Sequence, residues 1–175
     1  APGHVSTIIG TEPYRNWLDQ FGIPVVIGGF EPLDILYAIA LILRQIADSA
    51  PKVENAYPRA VDAAGNPAAL KLIEEVFEVR DAAWRGIGTI PSSGLELREA
   101  FAGIDARRRF DLPEAGPDPE IPGCRCPDVL TARAVPSDCP LFAKRCTPLT
   151  PVGPCMVGAE GACSIWFRYG ERINP

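Results

Sequence analysis

Apolar positions recur with two periods along this chain, and each period predicts an element. In "TEPYRNWLDQFG", Tyr14, Trp17, Leu18 and Phe21 fall at i, i+3, i+4 and i+7, one face of a helix. Thr11 is its candidate cap and Gly22 its left-handed stop. "IPVVIGGF" is an unbroken apolar run that ends in Gly28-Gly29, the pattern of a strand buried on both faces in a parallel sheet. "EPLDILYAIALILRQIADSA" predicts a helix with Pro32 in its first turn and Asp34 near its start. It is apolar on most sides, so it is expected to be covered on most sides.

"KVENAYPRAV" offers a second strand or extended segment. "NPAALKLIEEVFEVRDAAW" predicts a helix capped by Asn66, with Pro67 at its first position and Ala69, Leu72, Val76, Val79 and Ala83 as its inner stripe. "RGIGTIPSSGLELREAF" predicts two extended segments around a turn at Pro91-Ser92-Ser93-Gly94. The order helix, strand, helix, strand, helix indicates an α/β fold, a three-layer parallel-sheet domain over residues 1–110. The proline-rich stretch 111–123 reads as a linker. Residues 124–175 form a small loop-rich module, and no internal repeat is visible.

Charge narrows the partners. A net charge of −5 argues against a nucleic-acid surface. The only basic run, Arg107-Arg108-Arg109, reads as a solvated face. "LDILYAIALIL", Leu33 to Leu43, contains an acid and is too short to span a bilayer, so no membrane association is expected. No signal-peptide pattern opens the chain. Its start at Ala1, inside what reads as a structured segment, suggests a piece of something longer or a processed chain.

All six cysteines lie in the last module, spaced C-x-C-x12-C-x6-C-x8-C-x7-C at Cys124, Cys126, Cys139, Cys146, Cys155 and Cys163. Spacing leaves three readings open. An even count permits a disulfide framework, although 123 cysteine-free residues precede it. Structural zinc usually uses paired C-x2-C knuckles, which are absent. An iron–sulfur cluster takes four thiolates and tolerates irregular spacing.

The segments "GCRCPDVL" and "CPLFAKRCTPLTPVGPCMVGAEGAC" closely resemble the C-terminal signature of the HypD family of [NiFe]-hydrogenase maturation factors. "PGHVSTIIG", "GGFEPLDIL", "WRGIGTIPSSGLELR" and "DARRRF" extend the resemblance, in order, over essentially the whole chain. The resemblance implies a [4Fe-4S] cluster on the pattern C-x14-C-x6-C-x16-C, which falls here on Cys124, Cys139, Cys146 and Cys163. It implies that Cys126 and Cys155 form a neighbouring redox dithiol/disulfide, as in ferredoxin–thioredoxin reductase. The alternative for this pair is a static structural bond.

The resemblance further implies a cytoplasmic scaffold on which an iron ion receives cyanide and carbon monoxide ligands to give an Fe(CN)2CO unit. Its partners would be a HypC-type chaperone, a HypE-type cyanide donor and, indirectly, the hydrogenase large subunit. Family members carry an N-terminal half, with a C-G-G-H setting and a C-P-x-C pair, that precedes the part matched here. The matched part alone is therefore not expected to assemble the iron unit. Other readings of the module are a thiol–disulfide reductase acting through Cys126 and Cys155, and a zinc-stabilised interaction module.

His4 reads as a turn histidine bonded to backbone; the resemblance implies a cleft residue near the iron site instead. Glu31 and Asp34 follow a predicted strand at its carboxyl end, where open α/β sheets bind ligands. Acids at a helix start are favourable in any case. "IPSSG" is either a cleft wall or a turn, and Trp84 and Trp166 read as packing residues.

Overall fold

Val25, Val26 and Ile27 are all buried and form strand β1 (Val25–Ile27). In this computed structural model, which describes residues 1–84, 87–112 and 121–170, β1 pairs in parallel with β2 (Val53–Asn55). The register sets Val25 opposite Val53 and Ile27 opposite Asn55. Pro2 adds an isolated parallel bridge to Gly28.

Side chains alternate across a strand, and here both faces are used. Val25 and Ile27 pack with Tyr14 and Val61 on one face; Val26 packs with Leu41 and Ala56 on the other. Tyr14 belongs to helix α2 (Pro13–Phe21) and Leu41 to helix α3 (Pro32–Ala47), so helical side chains cover both faces. Helices α1 (Gly3–Ile9) and α4 (Pro67–Val76) complete the first unit, Ala1–Phe77. Asn66 caps α4 as its sequence predicts: its side-chain oxygen accepts from the N–H groups of Ala68 and Ala69, both at 3.1 Å. Gly22 likewise stops α2 at φ 61°, donating to the Leu18 carbonyl at 2.8 Å.

Gly10 ends α1 at φ 73° and ψ −163°, a conformation essentially reserved for glycine. It crosses Gly65, at φ 68°, so closely that a Cβ on Gly10 would stand 2.5 Å from the Gly65 nitrogen. Gly10→Ala is expected to cost at least about 1–3 kcal/mol from the backbone conformation alone, before the clash is added. Urea unfolding checks this, and an unchanged midpoint would show that the loop relaxes freely.

Helix α3 departs from expectation. Asp34, Ala38, Leu41, Ile42 and Gln45 make the inward stripe. The rest of its apolar surface is open: Leu33 is 78% exposed, Leu36 62% and Leu43 59%. A sheet of two strands is wide enough to cover one stripe of a helix, not most of its circumference.

The second unit, Glu78–Pro175, begins with another departure. Residues 77–84 do not continue α4; they form β3 (Phe77–Trp84), which pairs antiparallel with β4 (Gly88–Leu97). Only "FEVR" alternates apolar and polar residues, and pairing with β4, not a sustained period of two, overrides the helical reading of Val79 and Ala83. The predicted turn at residues 91–94 lies inside β4. Ser92 there takes φ 52° and donates its N–H to Asp81 Oδ1 at 2.9 Å, which makes the segment a kink in a strand. Trp84, half-exposed, donates to Ser93 Oγ at 2.7 Å.

A 3₁₀ segment (Glu99–Ile104) and helix α5 (Ala106–Arg109) follow. Arg108 grips Glu99 with two bonds of 2.8 Å, so the arginine run forms a salt-bridged, solvated face. Of the predicted linker, residues 113–120 lie outside the described residues. Among the described residues no helix is long and apolar enough to cross a membrane.

Candidate functional site

Short helical turns carry the cysteines. Cys126 opens α6 (Cys126–Leu130) with Pro127 behind it, and Cys139 follows the 3₁₀ turn Pro136–Asp138. Cys155 sits in α7 (Pro154–Val157) and Cys163 in α8 (Ala162–Tyr169). Cys146 is held in a tight loop: its N–H donates to the Leu141 carbonyl at 2.9 Å, and its carbonyl accepts from Ala143 at 3.1 Å. Proline at the start of a helical turn removes an N–H that would have no partner there anyway.

These turns bury thiols as a hydrophobic core. Cys126, Cys146, Cys155 and Cys163 pack with Met156, and Cys124, Val129, Leu141, Phe142 and Val152 surround them. Five of the six cysteines are buried and Cys124 is half-buried. The Val152 N–H points at Cys146 Sγ at 3.4 Å, and the Cys139 thiol donates to the Gly123 carbonyl at 3.6 Å. The Cys155 thiol donates to Cys163 Sγ at 3.0 Å. Gly153 leaves room for sulfur, because a Cβ there would stand 2.6 Å from Cys124 Sγ. The hydroxyl of Ser164, next to Cys163, is buried with no hydrogen-bond partner among the described residues.

Burial pushes the Cys126 thiol up to about 12 and the Cys155 thiol up to about 11. It raises Cys124 and Cys163 as well, and each of these two is raised further by the neighbouring sulfurs of Cys126, Cys139 and Cys146. Cys124, Cys126, Cys155 and Cys163 are thus held as neutral thiols at neutral pH. Among the described residues no group of three or more His, Cys, Asp or Glu side chains stands where it could hold a single metal ion. All six cysteines are free thiols.

The other predicted site residues gather at the carboxyl end of β1. His4, exposed in the first turn of α1, packs against Phe30 in a tilted arrangement with ring centroids 5.1 Å apart. Asp34 receives two bonds from the Arg59 guanidinium, at 2.9 and 2.6 Å, and Glu31 lies 3.6 Å from the same group. Arg59 also lies 4.4 Å over the Tyr57 ring.

The sequence reading missed Tyr57 and Arg59. The available signal was their place just after β2, at the same carboxyl end of the parallel pair. Asn55 fixes that turn, accepting from the Tyr57 N–H at 2.9 Å and donating to the Val61 carbonyl at 2.7 Å.

The Arg59 bonds hold the Asp34 carboxyl below the usual carboxylate range. A depressed folded-state value means that the pair stabilises the fold above the ordinary carboxylate range. That stabilisation is lost as pH falls through the lowered Asp34 value. Arg59→Gln is therefore expected to destabilise near neutral pH, with the difference from wild type vanishing in acid. Unfolding midpoints across pH check this; a difference independent of pH would leave the ion pair without a role.

A parallel α/β unit and a separate module with a core of thiols define the class: an α/β protein with a buried polythiol centre. Residues 1–170 match the family HypD, described as the "Hydrogenase formation hypA family". The chain belongs to that family. It is 49% identical over 173 residues to the hydrogenase expression/formation protein HupD of Azotobacter chroococcum mcd 1. It is 47% identical over 172 residues to the hydrogenase maturation factor HypD of Azotobacter vinelandii. These alignments cover 98% of this chain and 45% of each relative, so the chain spans about half the length of the curated relatives it matches.

Proposed function

We propose that this chain is the thiol-rich part of a [NiFe]-hydrogenase maturation scaffold, acting in the cytoplasm on an iron ion that receives cyanide and carbon monoxide. The observation that carries the reading is the packing of five of the six cysteines, all but the separately buried Cys139, into one apolar-walled cluster in a member of the HypD family. On this reading Cys124, Cys139, Cys146 and Cys163 hold a [4Fe-4S] cluster, and Cys126 with Cys155 is the dithiol beside it.

The donor set fits. Three of the four ligands, Cys124, Cys146 and Cys163, lie in an apolar shell, a backbone N–H is aimed at Cys146 Sγ, and the side-chain-free Gly153 faces Cys124 Sγ. The unpartnered Ser164 hydroxyl is a donor for which a bound inorganic sulfide would be an acceptor. When bound, the cluster supplies single electrons; the chain's own thiols accept or release them by opening or closing a disulfide. His4, Glu31 and Asp34, with Phe30 and Arg59, are the proposed cleft wall facing the iron cargo. The proposed partners are a HypC-type chaperone and a HypE-type cyanide donor.

The test is anaerobic reconstitution of the chain with ferrous iron and sulfide, followed by metal and sulfide analysis and a visible spectrum. About four irons and four sulfides per chain are expected. Uptake of about one zinc and no sulfide-dependent absorption would replace this reading with the zinc-stabilised module.

A further inference from the structure

Cys155 stands between two other thiols. Its sulfur lies 3.0 Å from Cys163 Sγ, and Cys126 belongs to the same buried cluster. The dithiol reading pairs it with Cys126. The sulfur contact points to a different partner, Cys163.

We propose that the cluster-free chain closes a Cys155–Cys163 disulfide under mild oxidation by a peroxide. This would withdraw one redox thiol and one cluster ligand together, so that the empty module must be reduced before it can be loaded. The inference rests on the reading above in taking Cys163 as a ligand and Cys155 as a redox thiol.

The chemistry balances with hydrogen peroxide. The Cys155 thiol gives up its proton and the thiolate attacks one peroxide oxygen; the O–O bond breaks, the departing hydroxide takes up that proton as one water, and a sulfenic acid forms. The Cys163 sulfur then displaces the sulfenic oxygen; the S–S bond forms, and the Cys163 proton leaves with that oxygen as a second water. Two thiols lose two electrons, and peroxide gains them. A dithiol reductant reverses the bond by exchange.

Chain geometry favours this pair over Cys126–Cys155. Seven residues intervene between Cys155 and Cys163, and twenty-eight between Cys126 and Cys155. Loop-closure entropy alone then favours the shorter loop by about eightfold. The short loop also ends in turns that are already formed, α7 and the start of α8. Both thiols are nearly buried, Cys155 at 6% and Cys163 at 5% exposure, so a small oxidant is the reagent that reaches them.

The experiment uses the full chain, stripped of metal under reducing conditions, freed of reductant and treated with equimolar hydrogen peroxide. Free thiols are then blocked. Trypsin with a glutamyl endopeptidase separates the two loops, since Glu160 lies between Cys155 and Cys163, and Arg133, Lys144 and Arg145 lie between Cys126 and Cys155. Mass spectrometry is expected to find the Cys155–Cys163 link in excess over Cys126–Cys155 by about eightfold. Reloading with iron and sulfide is expected to need dithiothreitol in wild type and not in Cys155→Ser.

A predominant Cys126–Cys155 link, or free Cys163 after oxidation, overturns the inference. The mapping needs only the wild-type chain, so it decides the matter even if the variant does not fold. If the never-oxidised chain takes up no iron and sulfide, the cluster reading fails, while the mapped disulfide still stands or falls by itself.

Discussion

Cys139→Ser is expected to leave the reconstituted chain essentially without iron or sulfide, against about four of each in wild type. Cys124→Ser, Cys146→Ser and Cys163→Ser are expected to behave alike, while Cys126→Ser and Cys155→Ser keep the cluster. The contrast is the decisive part, since all six thiols are free and five are buried. Damage to packing alone would rank the variants by burial. That ranking puts Cys126, at 2% exposure, first and Cys139, at 9%, among the mildest. Ligation predicts the reverse for these two. Iron and sulfide analysis with visible absorption on all six variants separates the two, and full cluster content in Cys139→Ser would remove it from the ligand set. Loss of a ligand is also expected to loosen the module, because metal-binding free energy acts as folding free energy where a site is not preformed.

The second large effect concerns α3. Leu36→Lys with Leu43→Lys is expected to leave the stability of this chain within about 0.5 kcal/mol of wild type, because both side chains are already mostly exposed. The same pair is expected to suppress self-association, since Leu33, Leu36, Tyr37 and Leu43 form a contiguous apolar surface of the kind that drives it. In a relative of full length, more than twice this chain, the outcome is expected to reverse. If further chain covers the face, each lysine costs about 1.5–3 kcal/mol in lost burial. Sedimentation velocity and urea unfolding on both proteins check this. Equal stability loss in the two would mean that α3 is already covered here, and no loss in either would leave the face without a partner.

Local chemistry was legible in the sequence where one residue settles the matter. Asn66 caps α4 and Gly22 stops α2 because a side-chain acceptor or a left-handed φ is needed at one position, whatever the surroundings. The unbroken run Val25 to Ile27 marked a strand buried on both faces, since no polar residue interrupts either face. The cysteine spacing marked the module, because six thiols in forty residues have few uses. The end of α4 was not legible. Residues 77–84 continue its helical stripe through Val79 and Ala83, and only pairing with β4 selects the strand. Nor was the extent of burial on α3 legible, because apolar composition states what a helix is able to bury and only the width of its neighbour states how much is covered. The place of Arg59 and Tyr57 beside Asp34 was not legible either, because parallel pairing of β1 with β2 brings two distant loops to one end of the sheet. The nearest sulfur to Cys155 was likewise decided only in three dimensions, by helical turns whose relative placement no spacing along the chain encodes.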